Sequence, residues 1–536
     1  MIASLALQVF SVVLTLKVIQ TSRFFEKVIY MTGAILTGWA YIALVDYAIG
    51  MEAFRFFCVY LFVFRSEQSL TILKKISTTI RVWAWNVVIP FGFILWRLFF
   101  FENQRKATDV NLQLRKFMEA PMDSLWKGFE YLFQSIANVG FNAWTKQLYP
   151  RLSEAGFQVS GIAFILAAGI VVLFIVAGNK LNGLSASDGH ESRRMAGDAI
   201  FLGAISLLFG VLPVVAANRF VNLNIYSHYG LPASLASAIL LVGLVYYFLP
   251  WRHVQTLLII IFVTTAVLTH SLIAEKTLIS ENAIEKFWWQ ASWRIPGLRP
   301  DTTLVTLIVD NDYGLAQPAN MIYFPESQGE IPIRYFVSAL MPTNRNVDLI
   351  MAMSHKKTEG YRTHKEIITY GNILILTQPT SLSCVRVIDG TRHVLSENDS
   401  ENIKKIAPYS KVENIRLSLD LQAPQEFAFG PEPERGWCYY FEQADLAVQK
   451  MDWEEAVRLG NEALQIKLYP ADPVEWFPFL QAYAMLGDEE KVIAVSTEIN
   501  KHAFLREQTC LVFNQPNSIL TLDTHTKVLI DDLFCN

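Results

Sequence analysis

Eight apolar stretches crowd the first half of this chain: Ile2–Ile19, Val28–Val45, Ala53–Phe64, Val82–Phe101, Ser160–Gly178, Ala199–Ala217, Leu231–Leu249 and Gln255–Ile273. A helix needs about 20 mostly apolar residues to cross the hydrocarbon core of a bilayer. Seven of the stretches approach that length, and Ala53–Phe64 does so only if it starts near Tyr47. The first stretch has no basic region and no small-residue cleavage site before Lys17, so it reads as a span and not as a signal peptide.

The charges divide the chain at the same place. Only 18% of its 536 residues are charged, against about 25% in soluble domains. Residues 1–274 hold 21 Lys and Arg and 13 Asp and Glu, whereas residues 275–536 hold 24 and 36. A mildly basic apolar half precedes a polar, acidic one. The acidic balance argues against nucleic acid as a partner.

Lys and Arg in short loops mark the cytoplasmic side. Arg65, Lys74, Lys75 and Arg81 follow the third stretch, Lys180, Arg193 and Arg194 follow the fifth, and Arg252 follows the seventh. Eight crossings put these loops on one face. The other face then carries Tyr47–Glu52, Glu102–Val159, Asn218–Gly230 and the whole C-terminal half. The expected location is the bacterial cytoplasmic (plasma) membrane, crossed many times, with the C-terminal domain external. Within 102–159, Met122–Val139 places Leu125, Phe129, Leu132, Phe133 and Ile136 at helical spacing. Such an amphipathic helix lies flat on a bilayer or packs on protein.

Several charges fall in or beside the spans. Lys17 and Arg97 lie near helix ends and can snorkel to the interface. Asp198 suits a helix start, and His270 reads as an interior histidine. Asp46, Glu52 and Arg55 cluster at the outer junction of two spans, where Glu52 and Arg55 share a helical face at i, i+3. They read first as an interfacial ion pair that fixes a turn. They also suit the mouth of a cavity, together with Arg105, Asp109, Arg219, Tyr226 and His228 on the same expected face. The candidate substrate-binding set is Glu52, Arg55, Arg105, Asp109 and Arg219, because basic groups at that level fit a lipid-linked phosphate.

The second half reads as a small α/β region over Asp301–Asp420, with strands at Thr303–Val309, Asn372–Thr377 and Cys384–Ile388. Phe287, Trp288, Trp289 and Trp293 suit a helix that leaves the membrane and packs on it. Asp310 and Asp312 end the first strand. Two such carboxylates can share a divalent ion, but no nucleotide-binding strand–helix repeat precedes them, and a polar turn explains them. Over Gly436–Lys501 two helix pairs follow, whose turn residues Asp452 and Asp488 stand 36 positions apart, near the tetratricopeptide period of about 34. Ala447, Trp453, Ala456 and Ala463 fit that motif's alternation of small and large residues. The expected divisions are a membrane domain at 1–274 with an external amphipathic segment at 102–159, an α/β domain at 275–430, tetratricopeptide-like helix pairs at 431–505, and a tail at 506–536 packed on the domain.

Catalytic motifs are absent: there is no HExxH, CxxC pair, GxSxG or P-loop. No cofactor is identified, and metal-like cysteine spacing is lacking. Cys58 lies in a span. Of the four cysteines in the other half, at most one pair is expected to bridge, Cys384 with Cys438, and four buried free thiols are the alternative.

The phrases YAIGMEAFRF (Tyr47–Phe56), WRLFFFENQRKATD (Trp96–Asp109), YGLPAS (Tyr229–Ser234), FWWQASWRI (Phe287–Ile295) and FGPEPERGWCYYFEQADL (Phe429–Leu446) resemble a group of bacterial multi-pass membrane proteins without assigned activity. In its order of parts the chain resembles GT-C-type glycosyltransferases, which use polyprenyl-phosphate sugars. The resemblance implies a membrane enzyme, with the bilayer and a polyprenyl-phosphate-linked sugar as partners. It also implies an acidic catalytic residue in the loop after the family's first span. No acidic residue precedes Glu26 here, so the chain is expected to lack the family's N-terminal third, and no catalytic residue is assigned. The alternative is a non-catalytic scaffold whose 431–505 segment binds a protein. A transporter is disfavoured, since neither repeated spans nor broken helices stand out.

Overall fold

The computed structural model describes residues 2–66, 71–101, 115, 117–145, 157–182, 189–223, 226–308, 316–325, 333–361, 364–392, 394–515 and 520–536. The chain divides into two compact units, Met1–Lys276 and Thr277–Asn536.

The first unit is helical. Its main helices are α1 (Ile2–Gln20), α2 (Phe24–Leu44), α3 (Glu52–Ser66), α4 (Ile72–Trp83), α5 (Val88–Phe99), α6 (Pro121–Ala137), α7 (Phe157–Asn182), α8 (Gly189–Ala216), α9 (Leu231–Phe248) and α10 (Arg252–Arg294). Among the described residues, seven helices or fused helical runs are long and apolar enough to cross a membrane. The eighth expected span, Ser160–Gly178, falls inside the apolar α7.

Two spans differ from their expected limits. A 3-10 turn at Asp46–Met51 precedes α3 and lengthens that span to 21 residues. α4, a 3-10 turn at Ala84–Val87 and α5 form one run of 28 residues. Lys74, Lys75 and Arg81 therefore lie on a helix and not in a loop, and Arg193 and Arg194 lie likewise on α8. Long basic side chains tolerate this because their stems bury while their heads find polar partners. Lys75 is buried, with its Nζ 3.3 Å from the Phe64 carbonyl and 4.2 Å from the centre of the Phe64 ring.

Inside the bundle, Met51, Phe54, Leu207, Val211, Tyr229 and Ala233 join α3, α8 and α9 in one apolar cluster, and Tyr41, Ile42, Ala48, Ile89 and Phe93 form another. Phe24, Leu36, Phe91, Ile165 and Phe248 are exposed, as lipid-facing side chains are. α8 and α9 approach closely at Gly203, where a Cβ would lie 2.6 Å from the Leu240 nitrogen. Small residues permit such contact where no hydrophobic force draws helices together.

The expected amphipathic helix is α6. Leu132 and Ile136 pack against the bundle, and the Ser135 hydroxyl accepts from the Val221 N–H at 3.1 Å. Trp126, Phe129 and Phe133 stay exposed. One edge thus docks on protein and leaves an apolar face that suits a bilayer surface.

The second unit begins with a small mixed sheet. Strands β1 (Thr303–Leu307), β2 (Ile333–Arg334), β3 (Ser338–Leu340), β4 (Lys357–Tyr361), β5 (His364–Ile368), β6 (Ile373–Thr377) and β7 (Arg386–Ile388) make two sheets, of order β3-β1-β6-β7 and β2-β5-β4. β1 is parallel to β3 and β6, and β7 runs antiparallel to β6. Side chains alternate across the larger sheet. Leu304, Leu374 and Leu376 face a cluster with Phe287, Trp288, Trp289 and Trp293, while Val305, Ile373 and Ile375 face the opposite core. The aromatic run at the end of α10 therefore packs within this unit, as its composition suggests. Asp310 and Asp312 lie outside the described residues.

The helices of this unit are α11 (Ala316–Tyr323), α12 (Asn344–Met351), α13 (Glu401–Ile406), α14 (Trp437–Gln449), α15 (Trp453–Gln465), α16 (Phe477–Met485), α17 (Glu489–Ile499), α18 (Ala503–Phe513) and α19 (Thr524–Phe534), besides single turns. Two disulfides form, Cys384–Cys438 and Cys510–Cys535. The expected limit of one is corrected. α18 and α19 pair, with Asn514 Nδ2 donating to Asp531 Oδ1 at 2.8 Å, and this carries Cys535 back to Cys510.

Candidate functional site

Polar residues recur along one side of the apolar α1. Ser4, Gln8, Ser11 and Thr15 follow one another at intervals of three or four, which puts them on one face, and all four are buried. α1 is an inside-out amphipathic helix: its polar stripe faces the bundle and its apolar surface faces outward.

Arg55 of α3 meets that stripe. Its side chain has no exposed surface. Nη2 donates to Ser11 Oγ at 2.7 Å and to Glu52 Oε1 at 2.9 Å, and Nη1 donates to Thr15 Oγ1 at 2.9 Å and Asn86 Oδ1 at 3.2 Å. The Tyr41 hydroxyl donates to the same Glu52 oxygen. Ser11 Oγ donates in turn to the Ala34 carbonyl at 2.6 Å, tying α1 to α2. Glu52 Oε2, Arg55 Nε and both amide atoms of Gln8 are buried without a hydrogen-bond partner among the described residues. A charge pair inside a bundle is costly to desolvate and persists only with such surrounding partners.

Sequence reasoning reads Glu52 and Arg55 first as an interfacial ion pair that fixes a turn, and second as part of the mouth of a cavity. The structure forms the i, i+3 pair but sets it inside the bundle, because α1 supplies polar partners there. Thr15 and Asn86, which bond Arg55, also line a cavity of about 280 Å³ with Val18, Lys27, Met31 and Trp85.

The 3-10 turn at Asp46–Met51 carries the chain from this pair to a second cluster. Tyr47 donates its hydroxyl proton to the His228 carbonyl at 3.0 Å and sets its ring edge-on to Tyr229, with centroids 5.2 Å apart. Arg219 Nη1 donates to the Tyr229 hydroxyl oxygen, and the guanidinium stands 5.6 Å from that ring's centre. Tyr226 stacks on Tyr229 at 5.6 Å, and His228 lies 4.3 Å from it. Asp46 pairs with Arg97 at 3.7 Å, and Arg97 lies over the Phe101 ring at 4.0 Å.

Of the five candidate residues, Glu52 and Arg55 form the interior pair and Arg219 belongs to the aromatic cluster. Arg105 and Asp109 lie outside the described residues. Tyr226 and His228, which the sequence places on the same face, do join Arg219. Sequence reasoning missed Ser11, Thr15, Tyr41, Asn86 and Tyr229. The stripe on α1 was the available signal for the first two, since polar residues at helical spacing in an apolar run mark an interior face.

Chemically, the two clusters differ. Both terminal nitrogens of Arg55 are committed to protein oxygens. The Arg219 side chain is half-buried and, among the described residues, hydrogen-bonds Tyr229 alone; a guanidinium carries five N–H donors. No group of three or more His, Cys, Asp or Glu side chains among the described residues has a metal-binding arrangement. Compared with protein-family models, curated proteins and solved structures, the chain finds no match.

Proposed function

We propose that this chain is a glycosyltransferase-like integral membrane protein, acting on a lipid-linked sugar whose phosphate binds at Arg219. The observation that carries this reading is the Arg219 cluster: a half-buried guanidinium, held by Tyr229 at the ends of apolar helices, with donors left over. Arginine binds phosphate through charge-assisted hydrogen bonds, and a polyprenyl chain needs the adjoining lipid. The Glu52–Arg55 pair supports the turn that brings Tyr47 to this cluster.

In sugar transfer of this class, the bond from the sugar C1 to the phosphate oxygen breaks. The polyprenyl phosphate leaves with the electron pair, and C1 bonds to an acceptor oxygen. No residue is assigned to take the acceptor's proton. The reading places the chain in the bacterial cytoplasmic membrane with Thr277–Asn536 outside. Two disulfides in that unit support this side, because they persist in oxidising compartments.

The test is a transfer assay on the full chain in proteoliposomes, supplied with radiolabelled polyprenyl-phosphate sugars and membrane acceptors. Label moving to an acceptor supports the reading; label staying on every donor removes the enzymatic part of it. A second reading, a scaffold that binds a protein through 431–505, rests on a repeated turn. Met451 and Gly487 both have positive φ, and each precedes a capping aspartate, Asp452 or Asp488. Tetratricopeptide-like helix pairs turn in this repeated way. That reading leads if neither transfer nor lipid-phosphate binding is found.

A further inference from the structure

A cleft of about 80 Å³ opens in the second unit, beside β7 and between α14 and α16. It is roomy enough for several water-sized groups. Arg294, Arg386, Arg392 and Gln481 line it, with the carboxylates of Asp389 and Asp445.

The donors there outnumber the acceptors. Asp445 is committed to Arg294 Nε at 2.5 Å, and Gln449 takes Arg294 Nη1 at 2.7 Å. Asp389 holds Arg392 through Nε at 3.2 Å and Nη2 at 3.1 Å. Arg386 pairs with Asp399, which has no exposed side-chain surface, and donates to the Val394 carbonyl at 3.1 Å. Arg386 Nε and Arg392 Nη1 nevertheless have no hydrogen-bond partner among the described residues. Gln481, only 5% exposed, lines the cleft beside them. Buried polar groups are rarely left unpaired, and an unmet one costs about 1–3 kcal/mol.

Each of the three guanidiniums has one carboxylate, Asp445, Asp399 or Asp389, so the formal charges balance, and it is the unmet N–H groups that call for an acceptor. Glu442 and Glu475 are buried nearby. Desolvation holds the Glu442 carboxyl well above the usual carboxylate range and pushes Glu475 up to about 7. At pH 6 the Glu475 carboxyl is mostly protonated.

We propose that this cleft is a binding site for a small oxyanion, the carboxylate or phosphate group of a ligand, held by Arg392 and Gln481 with Arg386 and Arg294 behind them. The site is separate from the Arg219 cluster and does not depend on the function proposed above.

The test uses the full chain in detergent at pH 6. Its unfolding temperature and calorimetric binding are followed against sodium phosphate and sodium acetate, with sodium chloride at matched ionic strength. The titrations are run in the Arg219→Ala background, which removes the other proposed phosphate site, and we expect saturable binding of at least one oxyanion there and none of chloride. Phosphate alone identifies a phosphate-bearing ligand, and acetate alone a carboxylate. Affinity should fall tenfold or more in Gln481→Leu and in Arg392→Gln. Arg392→Lys keeps the charge and should recover part of the loss, which separates binding from folding. No saturable binding by either probe, or affinity unchanged in both variants, overturns the proposal and leaves the cleft to water.

Discussion

Arg55 Nη2 donates to Glu52 Oε1 at 2.9 Å inside a bundle of apolar helices, where the guanidinium is entirely shielded from solvent. Removing one partner of such a pair leaves an uncompensated buried charge and costs about 3–5 kcal/mol. Arg55→Ala should therefore lower the thermal aggregation midpoint in detergent sharply. Adding Glu52→Gln to it should recover part of the loss, since the stranded carboxylate is gone. A midpoint unchanged by Arg55→Ala would show that the pair contributes nothing to the bundle.

Met451 and Gly487 make the same turn with different chemistry. Both have left-handed backbones, φ 61° and φ 68°, and in both the next residue's N–H closes the preceding helix, Asp452 onto Ala447 and Asp488 onto Tyr483. Only glycine adopts that conformation without steric cost. Met451→Gly should stabilise the second unit by about 1 kcal/mol and Gly487→Ala should weaken it by about as much. Thermal unfolding followed by tryptophan fluorescence measures both, and shifts in the same direction would contradict the shared geometry.

Much of the membrane unit was legible because apolar length is read directly along a chain. Asp46–Ser66 needed its start moved to a turn, which Tyr47 already signalled. The second unit's strands were legible from runs such as Ile373–Thr377. Harder was the interior of the bundle. Glu52 and Arg55 read as interfacial because their partners, Ser11, Thr15 and Asn86, are 31 to 44 positions away in sequence, and no local pattern links them. Arg219 was legible as a basic residue between spans, but Tyr229 was not legible as its partner. The second disulfide escaped for a similar reason, since it depends on how α19 folds back.

The buried carboxyls of the second unit set a pH dependence. Burial raises Glu475 to about 7 and Glu442 in the same direction, so the folded state binds protons that the unfolded state releases above about 4.5. Stability contributed by this protonation is present below that value and is lost as pH rises to about 7. Glu475→Gln keeps an acceptor for the Cys384 N–H, which now lies 2.7 Å from Oε1. It should raise stability at pH 8, by up to about 3 kcal/mol, and flatten the profile between 4.5 and 7. Unfolding midpoints across that range would show a profile parallel to the parent's if Glu475 does not titrate there.

Two bridges, Cys384–Cys438 and Cys510–Cys535, should appear in mass spectra of non-reduced peptides, with Cys58 free. Opening either by Cys→Ser should cost about 2–4 kcal/mol. In intact cells, a Ser400→Cys variant should react with an impermeant maleimide, because Ser400 is exposed and the unit is proposed to lie outside. Labelling only after lysis would reverse that assignment.

The central claim is tested most directly by titrating a polyprenyl phosphate onto the purified full chain and its Arg219→Ala variant. A hydrogen bond to a charged group contributes about 1.5–3 kcal/mol, so the variant should bind about tenfold or more weakly while its unfolding temperature stays near the parent's. Equal affinity for the lipid phosphate in parent and variant would contradict the account.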